Sequence, residues 1–194
     1  MIDKVLTVLK DQLNATDGLW DPNVPNEIDI AVVGDIAKHE DETSGLDNKV
    51  VITLLSVEEE STLKNRSRYE KVIVDNNPTR YDRESPPAYL NLYVMVAANR
   101  SMYARALLNI SKVIEIFQKK NVLEYVDTDP NKNFRFRIEL HSVPFEQLSY
   151  IWGLLGGKVM PSVLYKISVI KIVAKDVVPV ELINEVNIQS IKVD

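Results

Sequence analysis

The sequence contains no cysteine and only two histidines among its 194 residues. Without cysteine the chain has no disulfides, thiolate zinc sites, iron–sulfur clusters or thiol nucleophiles, and this fits a reducing compartment. Two histidines leave little material for a catalytic triad, and no Gly-x-Ser-x-Gly elbow is present. The residues on which thiol and triad chemistry depend are therefore missing or few.

Excess positive charge and long apolar runs are missing as well. The formal net charge is −5, whereas a surface that follows phosphates needs clustered lysine and arginine, so we expect no nucleic-acid partner. No run of about 18 apolar residues occurs, and the N-terminus MIDKVLTVLKDQLN carries charges every few positions. We therefore predict neither a membrane span nor a signal peptide. Hydrophobic residues make up 45% of the chain, which is typical of a globular domain with a real core.

Hydrophobic periodicity predicts three helices and five strands. Ser101 is a favourable N-cap for the second helix, and Pro144 suits the first turn of the third. The elements expected in chain order are a helix from Ile2 to about Asp17-Gly18, strands at 27–34, 50–57 and 88–97, a helix reaching Phe117, a strand at 134–141, a helix reaching Leu155 and a strand at 163–173. Neighbouring strands 50–57 and 88–97 suggest a hairpin with a long tip.

Apolar stripes predict which helix faces are buried. In the second helix the stripe comprises Tyr103, Ala106, Leu107, Ile110, Val113, Ile114 and Phe117. In the third it comprises Phe145, Leu148, Ile151, Trp152 and Leu155. We predict an α+β fold in one domain, with a mixed, largely antiparallel sheet and about three helices packed on a face.

The stretch GLLGGK at 153–158 superficially suggests a phosphate-binding loop. That loop needs a glycine five positions before the Gly-Lys pair and a serine or threonine after it, but Trp152 and Val159 stand there. The order of elements is also reversed, because a helix precedes the stretch and a strand follows it. We interpret Gly156-Gly157 as a left-handed helix cap.

Other candidate sites have simpler structural explanations. His39 lies beside Glu40, Asp41 and Glu42, and we expect a solvated charged loop here because one histidine gives no fixed metal geometry. His141 has Glu139 as its same-face neighbour, and a surface or interface role is expected. Glu58, Glu59 and Glu60 cannot converge, since adjacent strand residues point to opposite faces. The aromatics Tyr89, Tyr93, Tyr150 and Trp152 are expected in the core. We predict no catalytic residue, no cofactor and no metal.

Three stretches taken together resemble the cap, or tail-terminator, family of contractile injection systems. They are VEEESTLKN (57–65), PPAYLNLYVMVAANRSMYARALLNISKVIEIFQ (86–118) and ELHSVPFEQLSYIWGLLGGKVMPSVLYKISVI (139–170). These systems are phage-tail-like particles of the antifeeding-prophage and virulence-cassette type. The likeness covers roughly residues 1–173, which we take as a tail-terminator-like domain with a polar excursion at 58–87, followed by an extension at 174–194.

The resemblance implies a structural role without catalysis. Family members form a ring, expected to be hexameric, at the baseplate-distal end of the inner tube, where it ends tube and sheath growth and ties the sheath to the tube. The implied partners are further copies of the chain and the tube and sheath proteins. The implied location is the bacterial cytoplasm during assembly and then the finished particle.

A terminator must bind one ring of subunits and refuse the next, so an exposed sheet edge or an extended arm is the expected device. The excursion, the wet face of the 134–141 strand and the extension are the candidate contact segments. The extension either packs on a neighbouring or sheath subunit or adds an edge strand to its own sheet. The candidate interface residues are Glu59, Lys64, Arg66, Arg68, Tyr69, Arg80, Tyr81, Arg135, Arg137, Val180, Leu182, Val186 and Ile188.

Two other readings compete with the cap. A tube or sheath subunit of the same particle would polymerise into open stacks, whereas a terminator stops at one ring. A small-molecule enzyme would need a pocket with a perturbed acid or base, and no motif in the sequence supplies one.

Overall fold

A computed structural model describes residues 1–19, 29–60, 69–74, 77–84, 88–172 and 177–180. Three α-helices and nine β-strands lie within this part of the chain. They are α1 (Ile2–Leu13), β1 (Ala31–Val33), β2 (Lys49–Glu59), β3 (Tyr69–Val74), β4 (Asn77–Glu84), β5 (Ala88–Asn99), α2 (Tyr103–Lys119), β6 (Val122–Tyr125), β7 (Phe134–Leu140), α3 (Phe145–Leu154), β8 (Ser162–Ile172) and β9 (Val177–Val180).

Six strands form one mixed sheet in the order β1-β2-β5-β8-β7-β6. The pair β1–β2 is parallel, while β2–β5, β6–β7 and β7–β8 are antiparallel. This confirms the predicted α+β class and the predicted hairpin between the second and third strands of the sequence. The sequence did not predict β6, because four residues are too few for a clear period of two.

Helices cover both faces of this sheet, which corrects the expectation that they share one face. The side chains of Leu164 and Tyr165 are consecutive in β8 and so point to opposite faces. Leu164 packs with Trp152 of α3, whereas the ring of Tyr165 meets the edge of Phe117 of α2, with centroids 5.2 Å apart. The Lys120 ammonium donates to the side chain of Gln12 at 3.0 Å, which links the end of α2 to α1. Thus α1 and α2 lie on one face and α3 on the other.

The buried side of α2 is rotated from the predicted stripe. Tyr103, Leu107 and Ile114 were expected in the core, but all three are exposed. Asn109 is buried instead, because its side-chain oxygen accepts a hydrogen bond from Arg100 Nε at 2.7 Å. Ser101 does not cap the helix, since the N-cap is Met102. The buried residues are Ala106, Asn109, Val113, Ile116 and Phe117.

The third helix ends as the glycine pair predicts. Gly156 and Gly157 have φ angles of 102° and 80°, and the Gly157 N–H donates to the Trp152 carbonyl at 2.7 Å. This long-range bond is the mark of a Schellman cap, which satisfies a carbonyl that the helix leaves free. The stretch 153–158 is therefore a helix end turning into a strand. The predicted burial of Phe145 is wrong, because only Trp152 is fully buried in α3.

The chain divides into two compact units, and the second is drawn from residues 61–89 and 171–194. Its sheet has the order β3-β4-β9. Antiparallel β3 and β4 form the hairpin predicted around Asn-Asn-Pro. β9 pairs with β4, with Val180 opposite Tyr81. At least this part of the extension therefore adds a strand to a sheet of its own chain.

Candidate interaction surfaces

A charged face is left open on the β6–β7–β8 half of the main sheet. Alternate residues of these strands point away from α2, and directly opposite residues share a face. Arg135 Nε lies 3.2 Å from Glu124 Oε2, and Arg137 lies 3.6 Å from Glu139. Lys166 stands opposite Glu139 in the register. Exposed ion pairs of this kind contribute little to stability, so their value lies in selecting a partner by charge.

The outward side of α3 is apolar and uncovered within the described chain. Phe145, Tyr150 and Leu154 are 81%, 75% and 87% exposed, and Val159 just beyond the helix is also exposed. The opposite side of α3 holds Trp152 in the core. A helix that is apolar all round is normally buried on every side. We call Phe145, Tyr150, Leu154 and Val159 the α3 face.

A groove of about 330 Å³ lies beside α2, on the other side of the sheet. The Tyr165 ring lies in the groove wall and is buried, and its hydroxyl has no hydrogen-bond partner. This burial raises the pKa of Tyr165, so the group stays a neutral donor. The groove is lined by Ile114, Phe117, Gln118, Asn121, Ile138, Glu139, Leu140 and Tyr165.

Both edges of the main sheet are short, because β1 has three residues and β6 has four. At β1 the Asn14 side chain donates to the Ala31 carbonyl at 2.9 Å and accepts from the Ala31 N–H at 2.8 Å. These two bonds occupy edge groups that another strand would need. Short, capped edges resist strand addition. In the second sheet β3 is an edge strand of six residues, so it is the longer template.

His39 is buried, which corrects its expected place in a solvated loop. Its Nδ1 lies 2.9 Å from the Ile36 carbonyl, and its Nε2 lies 3.6 Å from Glu40. The surrounding loop contains two short 3₁₀ turns capped by Asp35 and Asp41. In the described residues, no three histidine, cysteine, aspartate or glutamate side chains group as metal ligands. His141 lies near the surface with its ring edge against Tyr93, at 5.0 Å between centroids.

The predicted interface residues fall on several elements. Arg135 and Arg137 lie together on the open charged face, and Glu59 ends β2. Tyr69 is in β3, Arg80 and Tyr81 are in β4, and Val180 is in β9. The predictions that lie outside the described residues are Lys64, Arg66, Arg68, Leu182, Val186 and Ile188.

Sequence reasoning missed Glu124, which completes the charged face, and the exposed α3 face. The short β6 gave no signal for Glu124. For α3 a signal existed, because the stretch FEQLSYIWGLLGGKV has large apolar residues on every side of a helix. No helix in the described part of the chain is long and apolar enough to cross a bilayer.

Comparisons with known proteins agree on one family. Residues 4–185 match the model of the Pvc16 N-terminal domain. The fold is similar to a sheath/tube terminator, in its extended state, of an extracellular contractile injection system of the PVC type, with a TM-score of 0.63 and 14% identity. It is also similar to the tube-terminating cap of the anti-feeding prophage, with a TM-score of 0.62 and 16% identity. No curated protein matches the sequence significantly.

The two likenesses cover 100% of this chain but 65% of the terminator and 61% of the cap. The chain thus spans less than two thirds of the length of either solved protein. At this level of identity the likeness shows the fold, and the family rests on a match over nearly the whole chain. By that match, the chain belongs to the family of the Pvc16 N-terminal domain.

Proposed function

We propose that this protein is a structural cap of a contractile injection particle. Copies form a ring, expected to be a hexamer, at the baseplate-distal end of the inner tube, where the ring ends tube and sheath growth and holds the sheath to the tube. The observation that carries the proposal is the fold likeness over the whole chain to a sheath/tube terminator and to a tube-terminating cap. The role is structural and needs no catalytic residue.

The shape of the sheets supports a terminating role. A subunit that continued a strand ladder would carry a long open edge, but β1 and β6 are short and Asn14 occupies the β1 edge. Contacts must then come from faces and from the second sheet, whose β3 edge suits addition of one partner strand. The candidate residues Tyr69, Arg80 and Tyr81 belong to this sheet, and Arg135 and Arg137 belong to the charged face.

A tube-end binding assay tests the proposal. The purified chain, tagged with gold, is mixed with isolated inner tubes and imaged by negative stain. A cap gives one label cluster at a single tube end and does not lengthen the tube. Labels along the tube wall or new open filaments would instead identify a tube or sheath subunit. The variant Arg135→Glu/Arg137→Glu, compared with the exposed control Lys112→Glu on α2, tests the charged face in the same assay.

Two truncations separate the roles of the extension. Stopping the chain after Val180 keeps β9 and its pairing with β4, whereas stopping after residue 176 removes both. If residues beyond 180 bind the sheath, the longer variant already loses sheath attachment. If the extension serves only its own sheet, the longer variant behaves as the full chain and only the shorter one fails. Particles that stay capped and of defined length with both variants would show that the extension contacts no partner.

A further inference from the structure

Two exposed apolar faces lie on opposite sides of the main sheet. One is the α3 face. The other, which we call the α2 face, runs along the flank of α2 and onto the end of β7. Helical spacing places Tyr103, Leu107 and Ile114 on one flank of α2, and Ile114 and Leu140 line the groove together. Exposed apolar surface grouped in this way marks a contact site. The α2 face comprises Tyr103, Leu107, Ile114 and Leu140, which are all exposed.

The α2 face is concave and chemically incomplete. The groove is walled by apolar side chains, and the Tyr165 hydroxyl in its wall has no acceptor. A buried donor without an acceptor costs free energy until one arrives. The fitting occupant therefore brings large apolar side chains and a backbone carbonyl. The last turn of a helix brings both, because its final carbonyls have no partner inside the helix.

The end of α3 has these properties. Leu154 is its most exposed large side chain, and Val159 projects just beyond the cap. The charges are also complementary. Lys158 is exposed beside the α3 face and has no ion pair within the described chain, whereas Glu139 lines the groove and has only Arg137, at 3.6 Å, as its ion-pair partner.

We infer that the α3 face of one subunit docks into the α2 face of the next subunit of the proposed ring. The inference rests on the proposed function and names its subunit contact. Because the two faces are different and lie on opposite sides of one sheet, the contact runs head to tail. Such contacts generate a closed ring when the rotation between subunits closes. An isologous dimer would instead bury one face against itself.

Cysteine cross-linking tests this contact cleanly, because the natural chain has no cysteine. The test variant carries Ile114→Cys and Leu154→Cys in one chain. The matched control carries Leu108→Cys and Leu154→Cys, since Leu108 is exposed on the same helix but points to another side. Particles assembled with each variant are isolated, oxidised and run on non-reducing gels, and thermal unfolding of the purified variants checks that each one folds.

The expected result is a ladder of linked subunits up to the ring size for the test variant, and monomers for the control and for each single substitution. Dimers from Leu154→Cys alone would overturn the inference in favour of an isologous contact. Capped particles without a ladder would overturn the inference and leave the proposed function standing. Particles whose tube ends lack this chain would overturn both.

A charge exchange gives an independent readout. Lys158→Glu should remove most of the cross-linked ladder in the test variant, because it places two carboxylates at the contact. Adding Glu139→Lys should restore the ladder, since the two charges are then opposite again. A ladder that is unchanged by Lys158→Glu, or one that Glu139→Lys does not restore, would contradict the proposed pairing of the two faces.

Discussion

At the scale of single residues, Asn14 closes one edge of the main sheet. Its side chain makes two hydrogen bonds to the backbone of Ala31. We predict that Asn14→Ala lowers the free energy of unfolding by about 2 kcal/mol, because each bond contributes on the order of 1 kcal/mol. Urea unfolding followed by circular dichroism measures the change. Thr7→Ala is the control, since Thr7 makes one exposed bond to the Asp3 carbonyl and should change stability little.

Asp127 ties the loop after β6 to the first helix. Lys4 Nζ lies 2.8 Å from its carboxylate and 4.5 Å from the centre of the Tyr125 ring. The hydrogen bond from Lys4, then those from the Asp129 N–H and the Tyr125 hydroxyl, lower the pKa of Asp127 below the ordinary value of 3.8. The same contact raises the pKa of Lys4.

This lowered pKa predicts a pH-dependent stability. The unfolded chain binds the proton more tightly than the native chain, so the contribution of Asp127 is complete above pH 3.8 and is lost as the pH falls further. Asp127→Asn should destabilise the protein near neutral pH, and the gap to the natural protein should narrow below about pH 4. Urea midpoints across the pH series measure it. Asp11→Asn, on the exposed side of α1, should show no such trend, and a gap independent of pH would refute the assignment.

At the scale of elements, the end of α3 contains two glycines with opposite requirements. Gly157 has a φ of 80°, whereas Gly153 lies inside the helix, and a Cβ at either position meets no neighbour within 4 Å. We predict that Gly157→Ala destabilises by about 1 kcal/mol through backbone strain. Gly153→Ala should stabilise by roughly 0.5–1 kcal/mol, because alanine is the better helix former. Thermal melts of the pair measure both signs, and a common sign would contradict the cap geometry.

The elements themselves were largely predictable because their periods are strong. Residues 134–141 alternate cleanly and form β7, and Gly156-Gly157 announced the cap. The rotation of α2 was not predictable, since an apolar stripe as wide as Tyr103 to Phe117 does not say which part the sheet covers. The burial of Asn109 depends on Arg100, nine residues earlier in the chain, and no local pattern encodes that contact.

The candidate surfaces were less predictable than the fold. Arg135 and Arg137 stood out as the wet side of a strand, but Glu124 joins them only through the pairing of β6 with β7. The α3 face was mistaken for core at Phe145, because hydrophobicity alone does not distinguish a core from a contact between subunits. Such surfaces become visible only when the packing of the chain leaves apolar residues uncovered.

At the scale of the whole molecule, the second sheet interrupts one long hairpin. β2 and β5 pair from Lys49↔Asn99 to Glu59↔Leu90, and the intervening residues belong to the second unit. We predict that replacing residues 61–88 with Asn-Gly leaves the main sheet folded, because a two-residue turn closes such a hairpin well. The variant should keep a cooperative thermal transition but lose binding that depends on β3. Loss of the transition would show that the main unit needs the excursion to fold.

The strand order also governs what happens while the protein is being synthesised. β5 lies between β2 and β8 in the finished sheet, but β8 is translated only after α2, β6, β7 and α3. At ordinary elongation rates the apolar β5 waits on the order of ten seconds for its second neighbour. During that interval a nascent chain presents an open edge, which is the feature that invites pairing with other nascent chains. Slow expression at low temperature, or a chaperone that shields β5, should therefore raise the yield of soluble protein.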